Sequence, residues 1–121
     1  MQTNRLVTSS LALMAFLAGA AIAHAHAYLD HASPLVGSTV KTSPSEVRMW
    51  FTQALEPKFT AAQLRSSAGA VVASGGVDGA DPRQIVIRVH ALPPGSYKVF
   101  WKVLSVDTHH TEGSFGFEVK P

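Results

Sequence analysis

Tyr97-Lys98-Val99-Phe100-Trp101-Lys102-Val103 decides how this chain is read. Tyr97, Val99, Trp101 and Val103 take every second position, with Lys98 and Lys102 between them. That period of two is the signature of a strand with one face buried. The same rhythm recurs on both sides. Val47, Met49 and Phe51 share one side of a strand with Arg48 on the other; Ile85, Ile87 and Val89 alternate with Gln84 and Arg88; Phe115, Phe117 and Val119 close the chain. Weaker strands are expected at Tyr28–His31, Ala62–Arg65 and Val71–Ala73. Punctuation falls between the runs at Pro34, Gly37, Pro44, Pro57, Gly69, Gly75-Gly76, Gly79, Pro82, Pro93-Pro94-Gly95 and Gly113. No stretch carries a long amphipathic helical pattern. Six or seven short strands with frequent turns predict an all-β fold, an immunoglobulin-like Greek-key sandwich or barrel.

Composition narrows the chemistry. The 121 residues contain no cysteine, which excludes a disulfide framework, a thiolate metal site and a cysteine nucleophile. Ten Lys+Arg against eight Asp+Glu give a formal charge of +2, too small for nucleic-acid binding on a basic face. No G-x-S-x-G, phosphate loop or paired catalytic carboxylates are present. Charge is also unevenly placed. Arg5 is the only charged side chain before Asp30, and Leu11–Ala23 is an unbroken run of apolar or small residues. Such a run is short for a spanning helix, which wants about 20 residues, and fits the apolar region of a secretory leader. Two sites carry the small residues that cleavage needs: after Ala23, leaving His24 first, or after Ala25, leaving His26 first. The second divides the chain into a signal peptide, residues 1–25, and one domain, residues 26–121.

The unusual residues are histidines. His24, His26 and His31 crowd the cleavage region, His109 and His110 follow Asp107, and His90 stands alone. His90 reads as a surface or structural histidine, His31 as a strand residue, and His110 alternates away from His109. Asp107 and His109 are spaced i, i+2, which on extended backbone puts both side chains on one side. A histidine at a mature N-terminus can chelate through amine and imidazole together, and the ordinary amine pKa of about 7.7–8 lets a metal displace its proton near neutrality. One amine, two imidazoles and a carboxylate form an N₃O set suited to Cu(II), with Zn(II) as the competitor.

Several segments in this order resemble the CopC-type periplasmic copper-binding proteins, including the YobA-like branch. These are His26-Ala27-Tyr28-Leu29-Asp30-His31-Ala32-Ser33-Pro34, Val47–Thr52, Pro94-Gly95-Ser96-Tyr97-Lys98-Val99-Phe100-Trp101, and Val106-Asp107-Thr108-His109 followed by Gly113–Val119. The resemblance covers essentially the whole chain after the leader. It implies an immunoglobulin-like or cupredoxin-like β-barrel, a periplasmic location, one Cu(II) ion, and His26, Asp107 and His109 as its ligands. It also implies a soluble, monomeric carrier that sequesters copper or delivers it to a CopD-type inner-membrane copper transporter.

Two departures stand out. Some members bind Cu(I) through a methionine-rich loop, but the corresponding stretch here, Gln63–Val71, has no methionine, and Met49 sits on an apolar strand face where a core role is expected. Gln53 stands where some members carry a glutamate near the Cu(II) site; an amide can hydrogen-bond a ligand but supplies no charge. Trp50 and Trp101 read as core or core-edge aromatics, and Asp78-Gly79-Ala80-Asp81-Pro82 as a plain loop. The alternative function is a small copper monooxygenase-like enzyme using an N-terminal histidine. A domain of 96 residues (121 − 25) leaves little room for a broad substrate surface, and a carboxylate ligand would occupy a position that oxygen chemistry needs open.

Overall fold

The alternation in Tyr97–Val103 becomes strand β7, Gly95–Leu104, in a computed structural model that describes residues 27–121. Tyr97, Val99, Trp101 and Val103 are buried, and Lys98, Phe100 and Lys102 face out. Seven further strands complete an all-β fold: β1 Leu29–Ser33, β2 Thr39–Val40, β3 Glu46–Phe51, β4 Ala61–Ser66, β5 Val71–Asp78, β6 Asp81–Arg88 and β8 His110–Val119. A 3-10 turn, Pro57–Phe59, interrupts them. Among the described residues no helix is long and apolar enough to cross a membrane. The expected leader lies outside the described residues.

Strands β1, β3 and β6 pair antiparallel, as do β4, β7 and β8, and β2 adds a short parallel edge to β8. Strand β5 belongs to both groups. Its Ala73–Gly75 portion pairs with β4, and Gly76–Val77 pairs with β6, giving the continuous order β1-β3-β6-β5-β4-β7-β8-β2. The switch falls at Gly75-Gly76 for a steric reason. A Cβ on Gly75 would lie 2.0 Å from the Val86 carbonyl oxygen and 2.8 Å from Ile87 Cα, so only glycine lets the backbones meet there.

Val47, Met49, Phe51, Ile85 and Ile87 from one half face Leu64, Val99, Trp101, Val103, Phe115 and Phe117 from the other across a single core. Each of the four strongly alternating segments therefore buries the face its pattern marks, except that Val89 lies just past β6 and is only partly buried. Three details differ from the expectation. Among the described residues there are eight strands; β2, at two residues, is too short to show a period. β5 runs to Asp78 because Ser74-Gly75-Gly76, turn-like in composition, continues as strand through the corner. Asp78 and Asp81 lie on strands, with only Gly79-Ala80 turning between them. Their carboxylates are spent locally. Asp78 accepts from Ala80 N at 3.0 Å and from Arg48 Nη1 at 2.6 Å, and Asp81 accepts from Arg83 N and from Gln84 Nε2.

One end of the sandwich gathers three separate segments. Thr52 N donates to Tyr28 O at 2.9 Å, Leu55 bridges to Ser105, and Val106 N donates to Ala54 O at 3.1 Å. The start of the described chain, the loop after β3 and the hairpin between β7 and β8 are thereby held together.

Candidate metal centre

The hairpin Ser105-Val106-Asp107-Thr108-His109 connects β7 to β8. Ser105 N donates to His109 O at 3.0 Å and Thr108 N to Ser105 O at 2.9 Å, which closes a three-residue loop around a β-turn. Thr108 has φ +75°, a left-handed conformation that loops of this type usually give to glycine. For a β-branched side chain it is a strained position. Asp107 and His109 are thus not on extended backbone, as their spacing suggested. The chain reverses between Leu104 and His110, and the turn, not a strand period, brings the two side chains together. His109 Nδ1 lies 3.4 Å from Asp107 Oδ1.

Ser105 organises this pair. Its hydroxyl donates to Asp107 Oδ1, and His109 N donates back to Ser105 Oγ at 3.3 Å. Ser105 is fully buried, so the donor is fixed in place. Its hydrogen bond, followed by the contact with His109, holds the Asp107 carboxyl below the usual aspartate range against the opposing effect of desolvation. Asp107 is therefore an anion across the physiological range. The two side chains remain 35% and 46% exposed, open to an ion arriving from solvent. Ligands at about 2.0–2.2 Å from one ion stand roughly 3 Å apart or slightly more, so the pair needs only a small rotation to share one.

Asp107 and His109 supply two donors. Among the described residues no group of three or more His, Asp and Glu could hold a metal. The third expected ligand, His26, lies outside the described residues. Its covalent neighbour Ala27 is buried, and the Ala27 carbonyl accepts a 2.8 Å bond from Thr111 Oγ1, two residues beyond His109.

The remaining candidates are placed elsewhere. His31, on β1, stacks on Trp50 at 4.4 Å, nearly coplanar, with its Nδ1 2.6 Å from Asp30 Oδ2. His110 faces outward from β8 with Glu112 and Ser114, and His90 is exposed beyond β6. Trp101 packs edge-on against Phe51 at 5.2 Å and lies across Gly113, where a Cβ would come within 2.5 Å of its ring. Met49 is completely buried in the core. Gln53 is half-buried in the loop after β3 that borders the hairpin. Sequence reasoning missed Ser105 and Thr111. Ser105 did carry a signal: it continues the inward series Val99, Trp101, Val103, and a small hydroxyl at an inward position calls for a partner.

The CopC domain family matches residues 29–120. The chain is 34% identical over 107 residues to copper resistance protein C of Escherichia coli, covering 81% of this chain and 84% of that one. It is similar to the crystal structure of CopC from Methylosinus trichosporium OB3b, with 33% identity, a TM-score of 0.74, and coverage of 79% of this chain and 95% of the other. It is also similar to PcoC, described as a methionine-rich copper resistance protein from Escherichia coli, with 33% identity, a TM-score of 0.70, and coverage of 78% and 99%. In contrast to a methionine-rich protein, this chain has Met49 as its single methionine after Met14.

Proposed function

The chain belongs to the CopC family of copper resistance proteins, and from that premise we propose that it carries one Cu(II) ion on Asp107, His109 and an N-terminal His26. The observation that carries the reading is the hairpin itself, with an ionised carboxylate and an imidazole nitrogen 3.4 Å apart beside the anchored Ala27. His26 is bonded directly to Ala27, whose carbonyl accepts from Thr111 Oγ1 at 2.8 Å, and that tether beside the hairpin supports His26 as the third donor. Export and removal of residues 1–25 would expose the His26 amine in the periplasm. Processing then creates the amine donor, and folding brings the carboxylate and second imidazole to it. The amine and two imidazoles with one carboxylate favour Cu(II).

Cu(I) finds no comparable site, because Met49 is sealed in the core and the described surface offers no thioether. Reduction would therefore release the ion, which suits a carrier that hands copper to a membrane transporter of the CopD type. The relatives are named copper resistance proteins, which supports a binding role over the monooxygenase-like alternative.

Electron paramagnetic resonance of the exported, Cu(II)-loaded protein tests the assignment. A tetragonal, nitrogen-rich spectrum is expected, with affinity lowered by about tenfold or more in His109→Ala. One glycine inserted before His26 should weaken binding as strongly. Unchanged affinity in both variants would remove the hairpin and the terminus from the site.

A further inference from the structure

The outward faces of the two halves of the sandwich treat charge in opposite ways. On β3, Arg48 donates to Asp78 at 2.6 Å and to Glu46 at 3.2 Å, so its charge is neutralised on the protein. On β4 and β7, Arg65, Lys98 and Lys102 surround Phe100, and no carboxylate of the described residues lies within ion-pair distance of any of the three. Glu112 stands opposite Lys102 in the β7–β8 register without closing an ion pair. Hydrated surface lysines alone signify nothing, but Arg65 is held by partners of its own. Its Nε and Nη2 donate to Gln63 Oε1 at 3.3 and 2.9 Å, and its guanidinium lies 4.7 Å from the centre of the Phe100 ring. Lys98 Nζ lies 5.9 Å from the same ring. Two grooves meet at Arg65 and Phe100: one of about 650 Å³ reaching Lys102, Glu112 and Ser114, the other of about 300 Å³ reaching Tyr97 and Lys98.

We infer that this face docks an extended acidic segment of a partner protein. The planar fork of Arg65, held by Gln63 and the ring beneath it, is preorganised for a carboxylate, with Nη1 unbonded among the described residues. Lys98 and Lys102 extend the positive track along β7, and the grooves beside Phe100 accept apolar side chains between the acidic ones. A protein segment fits better than a lipid surface. Phe100 is only 37% exposed and lies beneath a guanidinium, whereas membrane-surface aromatics must reach the acyl boundary. The inference uses none of the proposed copper ligands, so it fails or stands apart from the metal reading.

A nitrogen-15 nuclear magnetic resonance titration of the purified protein tests it. The probes are a synthetic octapeptide alternating glutamate and leucine, its lysine–leucine counterpart, and phosphatidylglycerol–phosphatidylethanolamine vesicles. Saturable shifts from the acidic peptide should cluster on β4, β7 and β8 around Phe100, and weaken as salt rises from about 50 to 200 mM. Arg65→Gln and Phe100→Ala should each weaken binding about fivefold or more, and the lysine peptide should give no shifts on this face. Arg65→Gln alone decides the matter if Phe100→Ala fails to fold. Absence of shifts here at about millimolar peptide, or affinity unaltered in Arg65→Gln, would overturn the inference. So would tighter, Phe100-dependent binding to the vesicles than to the peptide, which would make this a membrane face.

Discussion

Ser105→Ala removes one hydroxyl from a completely buried position and should be felt at the metal. That hydroxyl donates to Asp107 and accepts from His109 N, so it fixes both ends of the proposed chelate. Loss of a group that orients a ligand commonly lowers metal affinity by about 10–100-fold. Asp107 is 35% exposed and His109 46%, so water can replace part of the lost hydrogen bonding, which selects the lower figure, about tenfold. Folding should suffer less: net hydrogen-bond contributions are about 1 kcal/mol. For a domain of this size that lowers Tm by roughly 4–8 °C. Competition with a Cu(II) indicator chelator gives the affinity, and thermal melts of metal-free protein give the stability. A carboxyl carbon-13 titration of metal-free protein separates positioning from general loosening, because the Asp107 pKa, now held below 3.8, should rise toward it in the variant. The reasoning is refuted if Ser105→Ala leaves both the Asp107 titration and the Cu(II) affinity unmoved while Asp107→Ala weakens binding.

Other outcomes follow from other parts of the molecule. Gly75→Ala should cost about 3 kcal/mol or more, because the new Cβ meets the Val86 and Ile87 backbone and rotamer changes cannot relieve it. Gly79→Ala, with nothing within 4 Å of its Cβ, should stay within about 0.5 kcal/mol of the parent; denaturant melts compare them. His31→Ala should leave Cu(II) affinity within about twofold, since His31 is engaged with Trp50 and Asp30; a larger loss would bring β1 into the site. Asp78 is held below its ordinary 3.8 by the Ala80 amide and by Arg48, so its contribution is full above that value and vanishes as pH falls through the lowered one. Asp78→Asn should accordingly destabilise the protein at neutral pH and cease to differ from the parent in strong acid, as urea midpoints across pH will show.

The fold was legible because burial on one face of a strand imposes a period that turns cannot hide. Val47–Phe51, Ile85–Ile87, Tyr97–Val103 and Phe115–Val119 all bury the marked side, and Val89, just past β6, is half-buried against the core. β5 was read too short for the converse reason. Gly75-Gly76 looks like a turn in composition, and only the approach of Val86 and Ile87 explains why glycine is needed inside a strand.

The candidate site divides along the same line. The sequence determined the donor types: histidines after a leader-like run, an Asp-x-His triplet, no cysteine, and no methionine in Gln63–Val71, because those depend on side-chain chemistry alone. It also carried the family resemblance, which is a matter of residues in order. Tertiary structure decided how the donors meet. The β7–β8 reversal puts Asp107 against His109, buried Ser105 locks them, and Thr111 tethers Ala27 across 84 positions of chain. The first two contacts are local but depend on the turn geometry that the β7–β8 pairing closes, and the third joins segments that meet only once the core has brought their strands together.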